Sequence, residues 1–259
     1  MTMHLQIADG LATIVFDNPG SFNVMSIDQL TAFGQATEQL AADPGVRVVV
    51  LRAEGPIFGG GGDIASFRLG ADDAPDQLRA IGRVLNPAIL RLRALPAIVV
   101  AAVHGAVAGG SVGMMSAADL VIAAQGTKFN LAYARIGASP DVGNSWFLPR
   151  LVGARKALEW LLLSDDFDAD TALAHGLVNQ VVPAAQLRAA ADQLVARLLA
   201  GPHGSQARMK RLIYQSESTP LAQQLYDEIE HFAQATATPD FVEGVTAFLQ
   251  KRAPHFGQK

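Results

Sequence analysis

The sequence predicts an α/β fold, and three observations carry the prediction. Runs rich in Val and Ile, such as 46–51 and 98–100, alternate with stretches of helical spacing such as 27–42 and 76–95. Two glycine-rich loops, at 59–62 and at Gly109 and Gly110, each lie between a strand-like run and a helix-like one. Half of the 259 residues are hydrophobic, 17% are charged and mean hydropathy is +0.22, so one large core can be buried. From Ala184 onward the pattern is almost wholly helical, with breaks at Gly201-Pro202, Pro220 and Pro239, which adds a helical region to the α/β body.

Taken in order, residues 5–17 alternate around Asp9-Gly10 and predict a β-hairpin. After the turn-rich "DNPGSFNVM", Ser26 has the character of an N-cap for a helix over 27–42, which Asp43-Pro44-Gly45 stops. A buried strand follows at 46–51. Residues 70–75 are small and polar and predict a mobile loop, and 76–95 a helix ending before Pro96. The strand from Ile98 breaks at Gly105, and a small-residue loop leads into a helix rich in Met and Ala. Residues 119–124 predict a strand, 128–136 irregular chain and 137–143 a turn containing Pro; helical patterns cover 144–148, 154–163 and 168–175. Gly176 suits a helix end before a strand over 177–182.

Composition excludes several function classes. With a net charge of −4 and a pI of about 5.8 there is no basic footprint for nucleic acid. The absence of Cys removes disulfides, thiolate metal sites and a Cys nucleophile together. The six His residues are scattered without HExxH, so no metal site is expected. GxxxxGK[ST] and GxGxxG are both missing. The N-terminus lacks a charged region followed by an apolar one, and the longest apolar run stops at His104 after about ten residues. These features predict a cytoplasmic enzyme with no membrane span.

Three features could carry chemistry. The stretch 97–119 joins a strand to a helix N-terminus through Gly109 and Gly110, which serves either to hold an anion on unpaired N–H groups or simply to pack a tight turn. Gly109, Ser111 and Gly113 fit the GxSxG nucleophile elbow, with Asp141 and His175 or His203 following in hydrolase order. Against this, residues 105–108 intervene between strand and first Gly, which favours Ser111 as a small turn-filling residue. Asp141 lies in "IGASPDVGNSWFLPRLVG", among Phe129, Tyr133, Trp146 and Phe147. It either caps the helix that follows or serves as a general acid/base.

Together, "NPGSFNVMS", "FGGGGDI", "HGAVAGGSVGMMSAADLVIA", "IGASPDVGNSWFLPRLVGARKALE", "AHGLVNQVV" and "EGVTAFLQKRAPHF" resemble, in order and spacing, the crotonase superfamily of enoyl-CoA hydratases and isomerases. The resemblance covers nearly the whole chain. It implies a spiral of ββα units over residues 1–198 and a C-terminal helical region over 199–259 that builds homotrimers, often paired into hexamers. It implies an acyl-CoA thioester as substrate, with CoA part of that substrate and no separate cofactor. By position, the amides of Gly62 and Gly110 correspond to the family's oxyanion hole for the thioester carbonyl.

The departures bear on the reaction. Hydratases carry one Glu three residues after the Gly110 position and another after the next strand, where this chain has Gly113 and Tyr133. Asp141 matches the single catalytic Asp of the isomerase branch, so the resemblance favours a double-bond shift over hydration. Halobenzoyl-CoA dehalogenases use an Asp there with a His base, but 86–95 contains no His. The remaining alternatives are a thioester hydrolase through Ser111 and a non-catalytic acyl-CoA-binding paralogue. Tyr133, Trp146 and Met114 correspond to acyl-pocket walls or to core packing. Val24 and the backbone at Asp63 and Ile64 match the family's CoA contacts, and Lys251 with Arg252 resembles its basic pair for the CoA phosphates.

Overall fold

Asp9 and Gly10 take positive φ, 51° and 81°, the turn geometry that follows the twist of paired strands. They close a hairpin of β1 (Met3–Ala8) and β2 (Leu11–Phe16). The computed structural model describes residues 2–66 and 74–257. Helix α1 (Ile27–Ala42) starts where expected, with the Ser26 side chain accepting from the Gln29 N–H. Strand β3 (Val48–Ala53) runs two residues later than the apolar run suggests, because its partner β2 begins at Leu11, opposite Val48, and ends at Phe16, opposite Ala53. Of the loop expected at 70–75, residues 70–73 lie outside the described residues and the last two already belong to α2 (Ala74–Ala94).

Strand β4 (Ile98–Val103) carries the apolar run into the second glycine loop. Here two expectations are corrected. Residues after Gly105 form β5 (Ala106–Ala108), and after α3 (Gly110–Ser116) and β6 (Leu120–Ala124) the stretch expected to be irregular opens as β7 (Lys128–Asn130). Helices α4 (Asn144–Leu151) and α5 (Ala154–Leu163) lead to β8 (Phe167–Asp168). Asp168, expected inside a helix, instead caps α6 (Ala169–Ala174) by accepting from the Thr171 N–H at 2.9 Å. Strand β9 (Gln180–Val182) is shorter than expected because the amides of Leu177 and Val178 turn back to the Ala172 carbonyl. The chain finishes with α7 (Leu187–Leu199), α8 (His203–Gln215), α9 (Leu221–Thr236) and α10 (Pro239–Leu249).

Two sheets result. The larger has the order β1-β2-β3-β4-β6-β9 and is parallel except for β1; the smaller has the order β5-β7-β8. Alternate residues of β4 serve opposite faces. Val99, Ala101 and Val103 join Leu30 and Phe33 of α1 and Leu92 of α2 in the main core, while Val100 and Ala102 meet α7 through Val195 and Ala191. A strand buried on both sides reads as a continuous apolar run, which is why β4 is plain in the sequence. Helix α8 is tied to the sheet by Lys210, whose Nζ lies 2.8 Å from both the Ala97 carbonyl and Asp119 Oδ2. Helices α9 and α10 leave Leu225, Tyr226, Ile229, Phe232 and Phe248 exposed. Among the described residues no helix is long and apolar enough to cross a membrane.

Candidate active site

Both glycine loops leave the same end of the parallel sheet, after the C-termini of β3 and β4, and each is clamped to the other. The buried Asn23 side chain donates to the carbonyls of Glu54 (2.8 Å) and Ile57 (2.9 Å) and so holds the start of the first loop. Along that loop Phe58 N–H bonds to the His104 carbonyl (2.9 Å), Gly59 N–H to Ala106 (3.2 Å), Gly60 N–H to Phe22 (2.9 Å) and Gly61 N–H to Ser111 Oγ (3.1 Å). The next amide, Gly62, has no hydrogen-bond partner among the described residues. In the second loop Ala108 N–H bonds to Gly59 and Gly109 N–H to Asn130, while Gly110 N–H, at the first turn of α3, has no such partner. Gly109 takes φ 50° and ψ −122°, a conformation essentially closed to residues with a side chain. Gly62 and Gly110, the two amides singled out by the resemblance, are thus both without a hydrogen-bond partner among the described residues.

Ser111 is part of this clamp. It is 3% exposed, and a Cβ on Gly59 would lie 2.4 Å from its Oγ. An enclosed hydroxyl holding a backbone amide has the turn-filling role, not the exposed geometry of a nucleophile elbow.

Asp141 is exposed and does not cap α4: the N-cap position is Gly143, with no side-chain cap bond. Its Oδ1 instead accepts from the Tyr133 hydroxyl at 2.5 Å. Tyr133 is buried beside α3, and burial, with the neighbouring Asp141 carboxylate, pushes its phenol well above the ordinary 10. Asn144, fully buried, donates from Nδ2 towards Tyr133 Oη (3.0 Å), the Gly109 carbonyl (3.1 Å) and the Asp141 carbonyl (3.2 Å). A Cβ on Gly110 would lie 3.4 Å from Asp141 Oδ1 and 2.3 Å from Met25 Cε, so the carboxylate and an apolar wall flank that glycine. Between them Val142 takes φ 50°, a strained value for a β-branched residue.

The other expected site residues are more dispersed. Val24 packs over Gly60, 3.2 Å from where its Cβ would be, and Asp63 and Ile64 open the short 3-10 turn after Gly62. Met114 is buried in the main core. Trp146 lines a cavity of about 1220 Å³ between α2, α4, α8 and α9, where Arg93 and Arg150 cover its ring at 4.8 and 4.1 Å. Val142 and Gly143 line the same cavity, so it abuts the Asp141 segment, but Asp141, Tyr133, Gly62 and Gly110 do not line it. Phe129 stacks on Phe167. Lys251 makes no hydrogen bond or ion pair with another site residue among the described residues, and its neighbour Arg252 is committed to Glu243 at 2.7 and 2.8 Å. Sequence reasoning passes over Asn23 and Asn144, since each reads as an ordinary turn or helix-start residue. Among the described residues no group of three or more His, Asp or Glu side chains could hold a metal ion.

This architecture, a parallel sheet feeding two interlocked glycine loops with a free amide in each, defines a crotonase-type acyl-CoA enzyme. The chain belongs to the enoyl-CoA hydratase/isomerase family, whose model matches residues 6–259. It is 33% identical over 98% of its length, and 97% of the relative's, to a Rhodobacter capsulatus protein named "Probable enoyl-CoA hydratase". With 1,2-epoxyphenylacetyl-CoA isomerase of Escherichia coli it shares 32% identity over the same proportions of the two chains. A crystal structure of an enoyl-CoA hydratase from Polaromonas superposes with a TM-score of 0.92 at 30% identity, covering 98% of this chain and 99% of that one.

Proposed function

We propose that this family member is an enoyl-CoA isomerase that shifts a double bond from the 3,4 to the 2,3 position of an acyl-CoA thioester. The observation that carries the reading is the flank of Gly110: Asp141 Oδ1 stands beside it, while the two positions assigned to hydratase glutamates hold Gly113 and a buried Tyr133. Addition of water needs one group to activate the water and another to manage the Cα proton, whereas a 1,3-proton shift needs a single acid/base.

In this reading Asp141 takes a proton from Cα, and the electron pair spreads over the thioester oxygen and the adjoining double bond as a dienolate. Asp141 then returns the proton to Cγ, leaving the conjugated 2-enoyl thioester. The amides of Gly62 and Gly110 receive the charge on oxygen, each worth roughly 2.7–4 kcal/mol in the transition state of such sites. Val24 packs over the first loop and Asp63 and Ile64 follow its last glycine, where they would take the pantetheine and adenine portions. Met114, Tyr133 and Trp146 would bound the acyl group, and Lys251 would reach the CoA phosphates of a neighbouring subunit. The exposed apolar faces of α9 and α10 support a homotrimer or hexamer built through the helical region 199–259. No separate cofactor enters the scheme, and the cytoplasm is the setting that a Cys-free chain suits.

The test is to supply 3-enoyl-CoA and 2-enoyl-CoA in parallel. Conversion of the first to the conjugated thioester, without hydration of the second, is expected. A 3-hydroxyacyl-CoA product as the main outcome would sink the reading.

A further inference from the structure

We infer that Tyr133 and Asn144 are positioning residues that hold Asp141 Oδ1 and leave Oδ2 as the single atom through which the proton moves. The inference rests on the isomerase reading and deepens it. Its starting point is the direction of the hydrogen bonds. The carbonyl oxygens of Gly109 and Asp141 only accept, so the side-chain nitrogen of Asn144, 3.1 and 3.2 Å from them, must face that way. The same nitrogen lies 3.0 Å from Tyr133 Oη, and its two hydrogens are shared among these three acceptors, one of them bifurcated. The phenolic hydrogen is then left for Asp141 Oδ1, 2.5 Å away. Asn144 is fully buried and Tyr133 is 9% exposed, which keeps water from the bond between them.

The pair is itself fixed by backbone. Tyr133 N–H bonds to the Leu131 carbonyl at 2.8 Å, and the Tyr133 carbonyl accepts from Ala138 N–H at 2.9 Å. Asn144 ties the assembly to the carbonyl of Gly109, the residue before Gly110, so one amide sets the carboxylate against the oxyanion loop. Burial holds the phenol in its protonated form through the working pH range, and the donor is never lost. A carboxylate held by one oxygen presents the same Oδ2 to Cα and to Cγ, and a bound thioester lying against that exposed oxygen closes it to solvent between the two half-steps. The proton taken from Cα therefore returns to Cγ of the same molecule.

The experiment uses the full chain, 3-enoyl-CoA and D₂O. In the wild type most of the transferred hydrogen should remain protium. Tyr133→Phe, which removes only the hydroxyl, should lower kcat by about ten- to a hundredfold with KM changed by less than about threefold. It should also raise deuterium incorporation at Cγ, which loss of packing alone would not do. A Tyr133→Phe enzyme equal to wild type in kcat and in label retention overturns the proposal. A second arm needs no turnover: in protein carrying [¹³Cζ]tyrosine, the signal lost in Tyr133→Phe should shift in Asp141→Ala. If wild type leaves 3-enoyl-CoA unchanged, the isomerase reading falls by itself. The tyrosine signal then decides: a shift supports the Tyr133–Asp141 link and no shift overturns it.

Discussion

The carbonyl oxygen of Val142 lies 2.3 Å from where a Cβ on Gly113 would stand. This contact, between the third residue after Gly110 and the residue after Asp141, closes one face of α3 to any side chain. Gly113 is the position that the resemblance assigns to a hydratase's first glutamate, and here the backbone of the Asp141 segment is packed against it. In the proposed isomerase, that space supports the acid/base segment instead of holding a second carboxylate.

Gly113→Ala should accordingly destabilise the fold by at least about 1–3 kcal/mol, since backbone and not a flexible side chain must move. Gly113→Glu should confer no hydratase activity. Urea denaturation checks the first expectation, and a hydration assay with 2-enoyl-CoA the second.

Ser111 stitches the two glycine loops together through the Gly61 amide. Ser111→Ala leaves that buried N–H unpaired and should cost about 1–3 kcal/mol in stability. The wild-type protein should resist serine-directed phosphonates. Covalent labelling at Ser111 would contradict the assignment.

Much of this arrangement is legible in the amino-acid sequence. The Ser26 cap, the Asp9-Gly10 turn and the run of β4 are local signals, encoded within a few residues. Strands β5, β7 and β8 are not legible there, because two or three residues show no periodicity and their pairing joins segments far apart in the chain. The site divides in the same way. The two glycine loops are marked by their composition, while Gly62 and Gly110 within them, like Asp141, are singled out by their places in the resemblance. Asn23 and Asn144 act by donating to carbonyls up to 35 residues away, a relation that spacing cannot encode.

The pair of Lys210 and Asp119 joins α8 to the sheet in near-complete burial, with side-chain exposures of 6% and 10%. Lys210→Met removes one partner and leaves the carboxylate held by Val99 N–H and the Tyr214 hydroxyl alone. A loss of about 3–5 kcal/mol is expected in chemical denaturation. Adding Asp119→Asn should recover part of it.

The C-terminal tail should respond to pH in a defined direction. Hydrogen bonds from Arg252 and from the His255 N–H hold the Glu243 carboxyl down from the ordinary 4.5 to about 2. A depressed folded value means the stabilisation is fully present above about pH 4.5 and is lost as pH falls towards 2. Limited proteolysis of the tail, compared between wild type and Glu243→Gln, should therefore differ near neutrality and converge in acid.

The central claim is that Asp141 alone carries the proton. The direct measurement is the rate of conversion of 3-enoyl-CoA to the conjugated 2-enoyl-CoA by wild type and by Asp141→Asn, at matched folding and CoA affinity. Loss of a general acid/base predicts a fall of roughly 10²–10⁴-fold with binding retained. An Asp141→Asn enzyme within about twofold of wild type, far short of that range, would contradict the account.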